Sequence, residues 1–221
     1  MSVPTPGSYA AMPYDPAAVT ATRFTLVRHA ESLWNASERW QGHGDPPLSE
    51  RGFEQARRCA ERLADLRGRI DRLVCSDLLR TRQTAAAIAQ VLELEARPTP
   101  KLRELEIGRW TGMRREEIAQ QEPELLAAFD SGQPHIRPGG GETRLEIRTR
   151  VRGAVEGLAV HHPGAHLILV VHAGVIKALV PEANPGNTES IDITLEGIRR
   201  ARPTIRVDAT QLPRHQVETL Y

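Results

Sequence analysis

Aromatic residues make up only 4% of the 221 residues. The core must therefore rest on leucine, isoleucine, valine and alanine rather than on stacked rings. Cysteine is equally scarce. Cys59 and Cys75 are too few for a disulfide framework and lack metal-ligand spacing, so they read as buried free thiols in a reducing compartment. An excess of one charge is also missing. With 29 basic and 28 acidic residues the formal net charge is +1. The bulk balance thus offers no sign of the basic patch that displaces counterions from nucleic acid. No run of about 18 apolar residues occurs, which excludes a spanning helix. The N-terminus has no basic region followed by an apolar run, and the sequence reads as a cytoplasmic protein with neither a membrane nor a nucleic-acid partner.

What is present is the composition of one soluble domain, 40% hydrophobic and 26% charged, with no break that would force two. Residues 1–20 are rich in Pro, Gly, Ala and Ser without periodicity and read as a flexible leader or surface strap. The single domain is expected over residues 21–221. Phe24 to Val27 form an apolar run that closes on Arg28 and His29, the pattern of a buried strand ending at a polar edge. His166 to Val171 is a second such run, and it too closes on a histidine, His172. Weaker strands are expected at Leu73 to Cys75, Leu94 to Arg97, Ile191 to Leu195 and Thr204 to Val207.

Between the strands lie helical patterns. Ser49 is a good N-cap for a helix to Leu66 whose Phe53, Ala56, Ala60, Leu63 and Ala64 share a face. Further helices are expected over Leu79 to Leu92, in two pieces from Arg114 to Phe129, from Thr143 to Val160, and from Val175 to Val180. The arginines of the Thr143 helix read as a solvated face. Strands alternating with helices of this length predict an α/β fold, a doubly wound and mostly parallel sheet with helices on both faces.

In such sheets ligands bind beyond the carboxyl ends of the strands, where His29 and His172 both fall. Arg80 lies in the first turn of its helix, where the dipole disfavours a cation. Either an anion shares that site or the guanidinium is simply solvated. The loop from Leu102 to Gly112 carries Glu104 and Glu106. The loop after the first strand carries Trp34, Asn35, Trp40, Gln41 and Gly42, and its tryptophans suit either a substrate rim or a self-packed loop. His135 and Arg137 belong either to the pocket or to a plain surface loop. His161, His162 and His166 are interrupted by Pro163 and Gly164, which keeps them from aligning as metal ligands on one helix face.

Together Arg28, His29, Arg80, His172 and Glu104 suit a phosphate monoester. Guanidinium groups neutralise its nearly double negative charge through paired, charge-assisted hydrogen bonds. Cations beside an imidazole disfavour its protonation, which leaves His29 the natural nucleophile. Neither cofactor nor metal is called for.

The blocks LVRHAESLWN, PLSERGFEQA, SDLLRTRQTA, LRELEIGRWTG, PGGGE and VVHAGVIKAL, in this order between Thr25 and Leu179, resemble the histidine phosphatase superfamily, the family of cofactor-dependent phosphoglycerate mutase. The resemblance implies that His29 takes the phosphoryl group of a small phosphorylated metabolite as a phosphohistidine, which water then hydrolyses. It implies that Arg28, Arg80 and His172 hold the phosphoryl oxygens with Asn35, and that Glu104 protonates the leaving alcohol, with Glu106 as the fallback acid. Gln41 and Gly42 are further candidate substrate contacts. LRELEIG and HAGV stand where the mutases carry LNERHYG and HGNS, which favours hydrolysis over mutation. Ala30 and Ala173 replace frequent glycines, and each is expected to add a methyl beside the phosphate pocket. The stretch from Pro181 to Ser190 is shorter than usual.

Overall fold

The computed structural model describes residues 15–200. Asp15 caps the amide of Ala17 and starts α1, Pro16–Ala21, whose Val19 is buried, so the part of the expected leader from Pro16 onward is structured. Residues 1–14 and the expected strand at Thr204 to Val207 lie outside the described residues. β1, Arg23–Arg28, is buried along its centre. It is followed by the short α2, Leu33–Ala36, and by α3, Glu50–Arg62, capped by Ser49. Gly52, Ala56, Cys59 and Ala60 form the buried face of α3, whereas Phe53 is 46% exposed, contrary to its expected place on that face.

The chain continues through β2, Arg72–Ser76, then α4, Leu79–Leu92, and β3, Ala96–Thr99. The Glu104 loop then leads to α5, Arg115–Gln121, and α6, Pro123–Asp130, which is split off by its N-terminal proline. α7, Arg144–His161, opens on a capping box made by Thr143 and Glu146. β4, His166–Val171, α8, Ala173–Leu179, β5, Ser190–Thr194, and α9, Leu195–Arg200, complete the described chain.

The five strands are ordered β3-β2-β4-β1-β5. All neighbours are parallel except β5, which runs antiparallel to β1 along the edge. Side chains alternate between the faces with the period of two that a strand imposes. Phe24, Leu26, Leu167, Leu169 and Val171 join the core under α7 and α8, while Val27, Leu73, Cys75, Ile168 and Val170 pack beneath α3 and α4. β4 is therefore apolar throughout because it is covered on both faces. Cys59 and Cys75 are buried free thiols in the second of these cores, and burial pushes the Cys75 thiol up to about 12.

Candidate active site

Register alone brings the two histidines together. Arg28 of β1 pairs with Val171 of β4, so the next residue on each strand is a histidine at the same level. Neighbouring strands lie about 4.8 Å apart. The His29 and His172 ring centroids are 5.2 Å apart, edge to face. The His29 amide donates to the Val171 carbonyl at 2.9 Å, and the Asn187 amide group donates to the His29 carbonyl at 2.8 Å.

The His29 ring has a defined tautomer. Nδ1 lies 2.7 Å from the Ala30 carbonyl oxygen, which can only accept, so Nδ1 carries the hydrogen and Nε2 keeps its lone pair. Burial is the leading reason that His29 titrates well below 6.5, and the Arg80 charge adds to it. The arginines, expected from the sequence to be the cause, are secondary to burial. His172 titrates well below 6.5 for the same reasons, and neither of its ring nitrogens has a hydrogen-bond partner.

Arg80 is wholly buried, not solvated. Its terminal nitrogens donate to the Gly44 and Gly42 carbonyls at 2.7 and 3.0 Å, and its Nε has no partner. Burial lowers its pKa to about 10, partly opposed by Glu104 and Asp45, and it stays charged. Arg28 donates to the Pro185 carbonyl at 2.9 Å and likewise leaves a buried Nε unpaired. A buried donor left unpaired costs roughly 1–3 kcal/mol. Unpaired buried nitrogens on Arg28, Arg80 and His172 around a lone-pair-bearing Nε2 are an arrangement that a tetrahedral oxyanion completes.

Glu104 reaches this centre from the loop after β3. Its carboxylate accepts from the Gly174 amide at 3.0 Å and from the Leu105 amide at 2.8 Å. A Cβ on Gly174 would overlap that carboxylate, so glycine here is what lets the loop approach α8. The loop is fixed from behind by Arg150 of α7, which pairs with Glu142 and donates to the carbonyls of Lys101, Arg103 and Glu104. The PGGGE turn packs against it closely. A Cβ on Gly139 or Gly141 would strike the Ile107 or Glu106 carbonyl.

Seven of the eight candidate residues, Arg28, His29, Asn35, Gln41, Gly42, Arg80 and Glu104, line one cavity of about 680 Å³. The eighth, His172, is fully buried against His29. Asn35 and Gln41 are tied together through Ser32, whose hydroxyl lies 3.2 Å from the Asn35 side-chain oxygen and 2.9 Å from that of Gln41. Gly42 takes part through its carbonyl, which accepts from Arg80.

Glu106 is not in the cavity wall. It pairs with His43 at 2.8 Å and accepts the Gly108 amide. His135 and Arg137 also stay outside the wall, and Arg137 pairs with Glu146. The tryptophans divide: Trp40 lines the cavity and stacks on Trp110 with centroids 5.5 Å apart, whereas Trp34 packs against Gly44 and Gly112. The two alanines divide as well. Ala173 faces the cavity, but the Ala30 methyl belongs to a small apolar cluster with Leu48 and Ala56, away from the expected position beside phosphate. Among the described residues no group of three His, Cys, Asp or Glu side chains is gathered to hold a metal ion, and no helix is long and apolar enough to cross a membrane.

Several contributors were not legible in sequence. Thr84 accepts the Ala30 amide at 3.0 Å, and the 185–189 segment binds Arg28 and His29 from above. The arginines of α7 are not a solvated face. Arg144 and Arg148 line the cavity, Arg150 holds the Glu104 loop, and Arg152 donates to the Ile198 carbonyl at the short limit of hydrogen bonding.

The model of the histidine phosphatase superfamily, branch 1, matches residues 24–196. The chain belongs to the histidine phosphatase superfamily. Within this superfamily it is 39% identical over 163 residues to a metal-independent phosphoserine phosphatase of Arabidopsis thaliana, covering 72% of this chain and 67% of the relative. It is 35% identical over 174 residues to phosphoglycerate mutase-like protein 4 of the same plant, covering 78% and 75%. Its fold matches a mycobacterial glucosyl-3-phosphoglycerate phosphatase solved with VO3, with a TM-score of 0.72, 28% identity and coverage of 78% and 90%. The superfamily fold agrees with the mostly parallel sheet and with helices on both faces.

Proposed function

We propose that this chain is a phosphomonoesterase that hydrolyses a small phosphorylated metabolite through a phosphohistidine on His29, in a reducing, cytoplasmic setting suited to its two free thiols. The observation that carries the reading is the buried His29 ring, locked with Nδ1 protonated and Nε2 free beside Arg80. Relatives named as phosphoserine and glucosyl-3-phosphoglycerate phosphatases support it.

In the first half-reaction the Nε2 lone pair attacks phosphorus and the bond to the ester oxygen breaks. Glu104 gives its proton to that oxygen, because an alkoxide is a poor leaving group. Arg28, Arg80, His172 and Asn35 bind the phosphoryl oxygens as charge shifts onto them. In the second half-reaction Glu104, now a carboxylate, takes a proton from water as the water oxygen attacks phosphorus. The phosphorus–nitrogen bond then breaks and releases inorganic phosphate.

Phosphate release from a metabolite panel, measured for the full chain and for His29→Ala, tests the reading. Release by the parent and loss of about 10⁴-fold or more in the variant are expected, since a removed covalent nucleophile leaves only the background of the remaining site. Conversion of 3-phosphoglycerate to 2-phosphoglycerate without free phosphate would overturn hydrolysis in favour of mutation.

A further inference from the structure

The loop that holds Arg80 also touches the loop that carries Glu104. Arg80 donates to the Gly42 and Gly44 carbonyls, and the residue between these two glycines, His43, reaches across with its ring. Its Nε2 lies 2.9 Å from the Glu104 carbonyl oxygen, and its Nδ1 lies 2.8 Å from the Glu106 carboxylate. The two loops pack tightly here, since a Cβ on Gly42 would lie 2.5 Å from the Ile107 side chain. Glu104 itself presents its carboxylate to the Leu105 and Gly174 amides.

Both atoms that meet the ring are acceptors. A carbonyl oxygen and an ionised carboxylate cannot donate, so each ring nitrogen must carry a hydrogen and the ring is an imidazolium. A neutral ring would turn a bare nitrogen towards one of these oxygens, and that contact would open. The ring faces Glu106 and, through the Glu104 carbonyl that they share, Arg150. Asp77 with its partner Arg103, Asp45 and Arg80 complete its charged surroundings. Asp77, held low chiefly by Arg103, and His172, held low chiefly by burial, both also feel the His43 charge. His43 thus acts on the phosphoryl centre without lining the cavity.

We propose that His43 is a positioning residue for the proton donor. As an imidazolium it ties the Glu106 carboxylate to the Glu104 main chain, and so fixes the Glu104 carboxyl group relative to the phosphate bound by Arg80. Loss of its proton releases the tie and slows departure of an alkoxide. This rests on the phosphatase reading for the role of Glu104.

NMR of the full chain, following the His43 ring nitrogens and the backbone amides against pH, reads the tie directly. The Leu105 and Gly174 amide signals should shift with the midpoint at which the His43 ring loses its proton, and His43→Gln should remove that step. In Glu106→Gln the ring midpoint should fall by about one pH unit, because the imidazolium loses its carboxylate partner. A ring titration that leaves both amides unmoved overturns the proposal, as does a midpoint unchanged in Glu106→Gln.

Turnover reads the consequence. The ratio kcat/KM reports the first half-reaction, in which the ester oxygen departs. His43→Gln should lower it about tenfold on an alkyl phosphate and less than about twofold on p-nitrophenyl phosphate, whose leaving group needs no acid. Equal losses on both substrates would show a loop that merely collapses around Arg80, and no loss on either would show that Glu104 does not depend on His43. Each of these results overturns the proposal. The two ideas fail separately: absence of phosphate release from every ester removes the phosphatase reading while the NMR titration still decides whether His43 holds Glu104, and release with unmoved amides does the reverse.

Discussion

The two ends of the cavity are built differently. At the inner end His29, Arg80 and His172 are 3, 0 and 0% exposed, and they are placed by the ends of two paired strands and the first turn of a helix. At the outer end Arg39, Arg144, Arg148 and Lys177 are half-buried or exposed, and three of the four come from the faces of α7 and α8. The inner end cannot adjust without moving the sheet. The outer end can change by substitution on a helix surface at little cost to the fold. Chemistry that must recur unaltered belongs at the first, and discrimination between substrates belongs at the second.

The sharpest way to test that division is Glu104→Gln, which removes the proton donor and keeps the shape. Loss of about 10²–10⁴-fold in kcat is expected on an alkyl phosphate. A much smaller loss is expected on p-nitrophenyl phosphate, whose leaving group needs no acid. Equal losses on both substrates would move Glu104 from proton transfer to simple positioning.

Arg150→Ala is expected to have the next largest effect. It strips the loop of three carbonyl contacts and leaves Glu142 half-buried without its partner. A loss of about 2 kcal/mol in urea denaturation is expected. A fall in kcat should accompany it, because the loop carries Glu104. A stability loss with unchanged kcat would show that the two ends are less coupled than the geometry implies.

The smallest effect is a pH dependence that the inner end shares with His162 and His166, whose pKa values partial burial also lowers. His29 and His172 have pKa values below 6.5 in the folded chain, so at pH below about 6.5 the unfolded chain takes up protons that the folded one refuses. Stability is therefore full above pH 6.5 and falls as pH drops below it, by roughly 1 kcal/mol per pH unit for each imidazole. Denaturation between pH 7 and 5.5 should show this slope, and His172→Asn should reduce it. A slope unchanged in that variant would place its origin in other groups.

The inner end was legible in sequence because each of its residues sits at a boundary where pattern changes: an apolar run that stops on a histidine, or a cation in a helix's first turn. The parallel direction of the central strands was legible in the alternation of strands with helices, whereas their order in the sheet was not. The outer end was not legible because a helical arginine has the same sequence signature whether it meets water, a phenylalanine ring or a loop carbonyl. Arg144 and Arg150 differ only in what α6 and the Glu104 loop bring against them, which is a long-range fact. Ala30 shows the same limit, since its methyl was expected at the phosphate and packs instead on Leu48 and Ala56 from the following helix and loop.

The central claim is tested most directly by rapid quench of the full chain during turnover of a ³²P-labelled ester, followed by peptide mapping under alkaline conditions. An acid-labile phosphoryl group on the peptide that contains His29, absent from His29→Ala, is the predicted result. Turnover with no label on His29, or with label on another residue, would contradict the account.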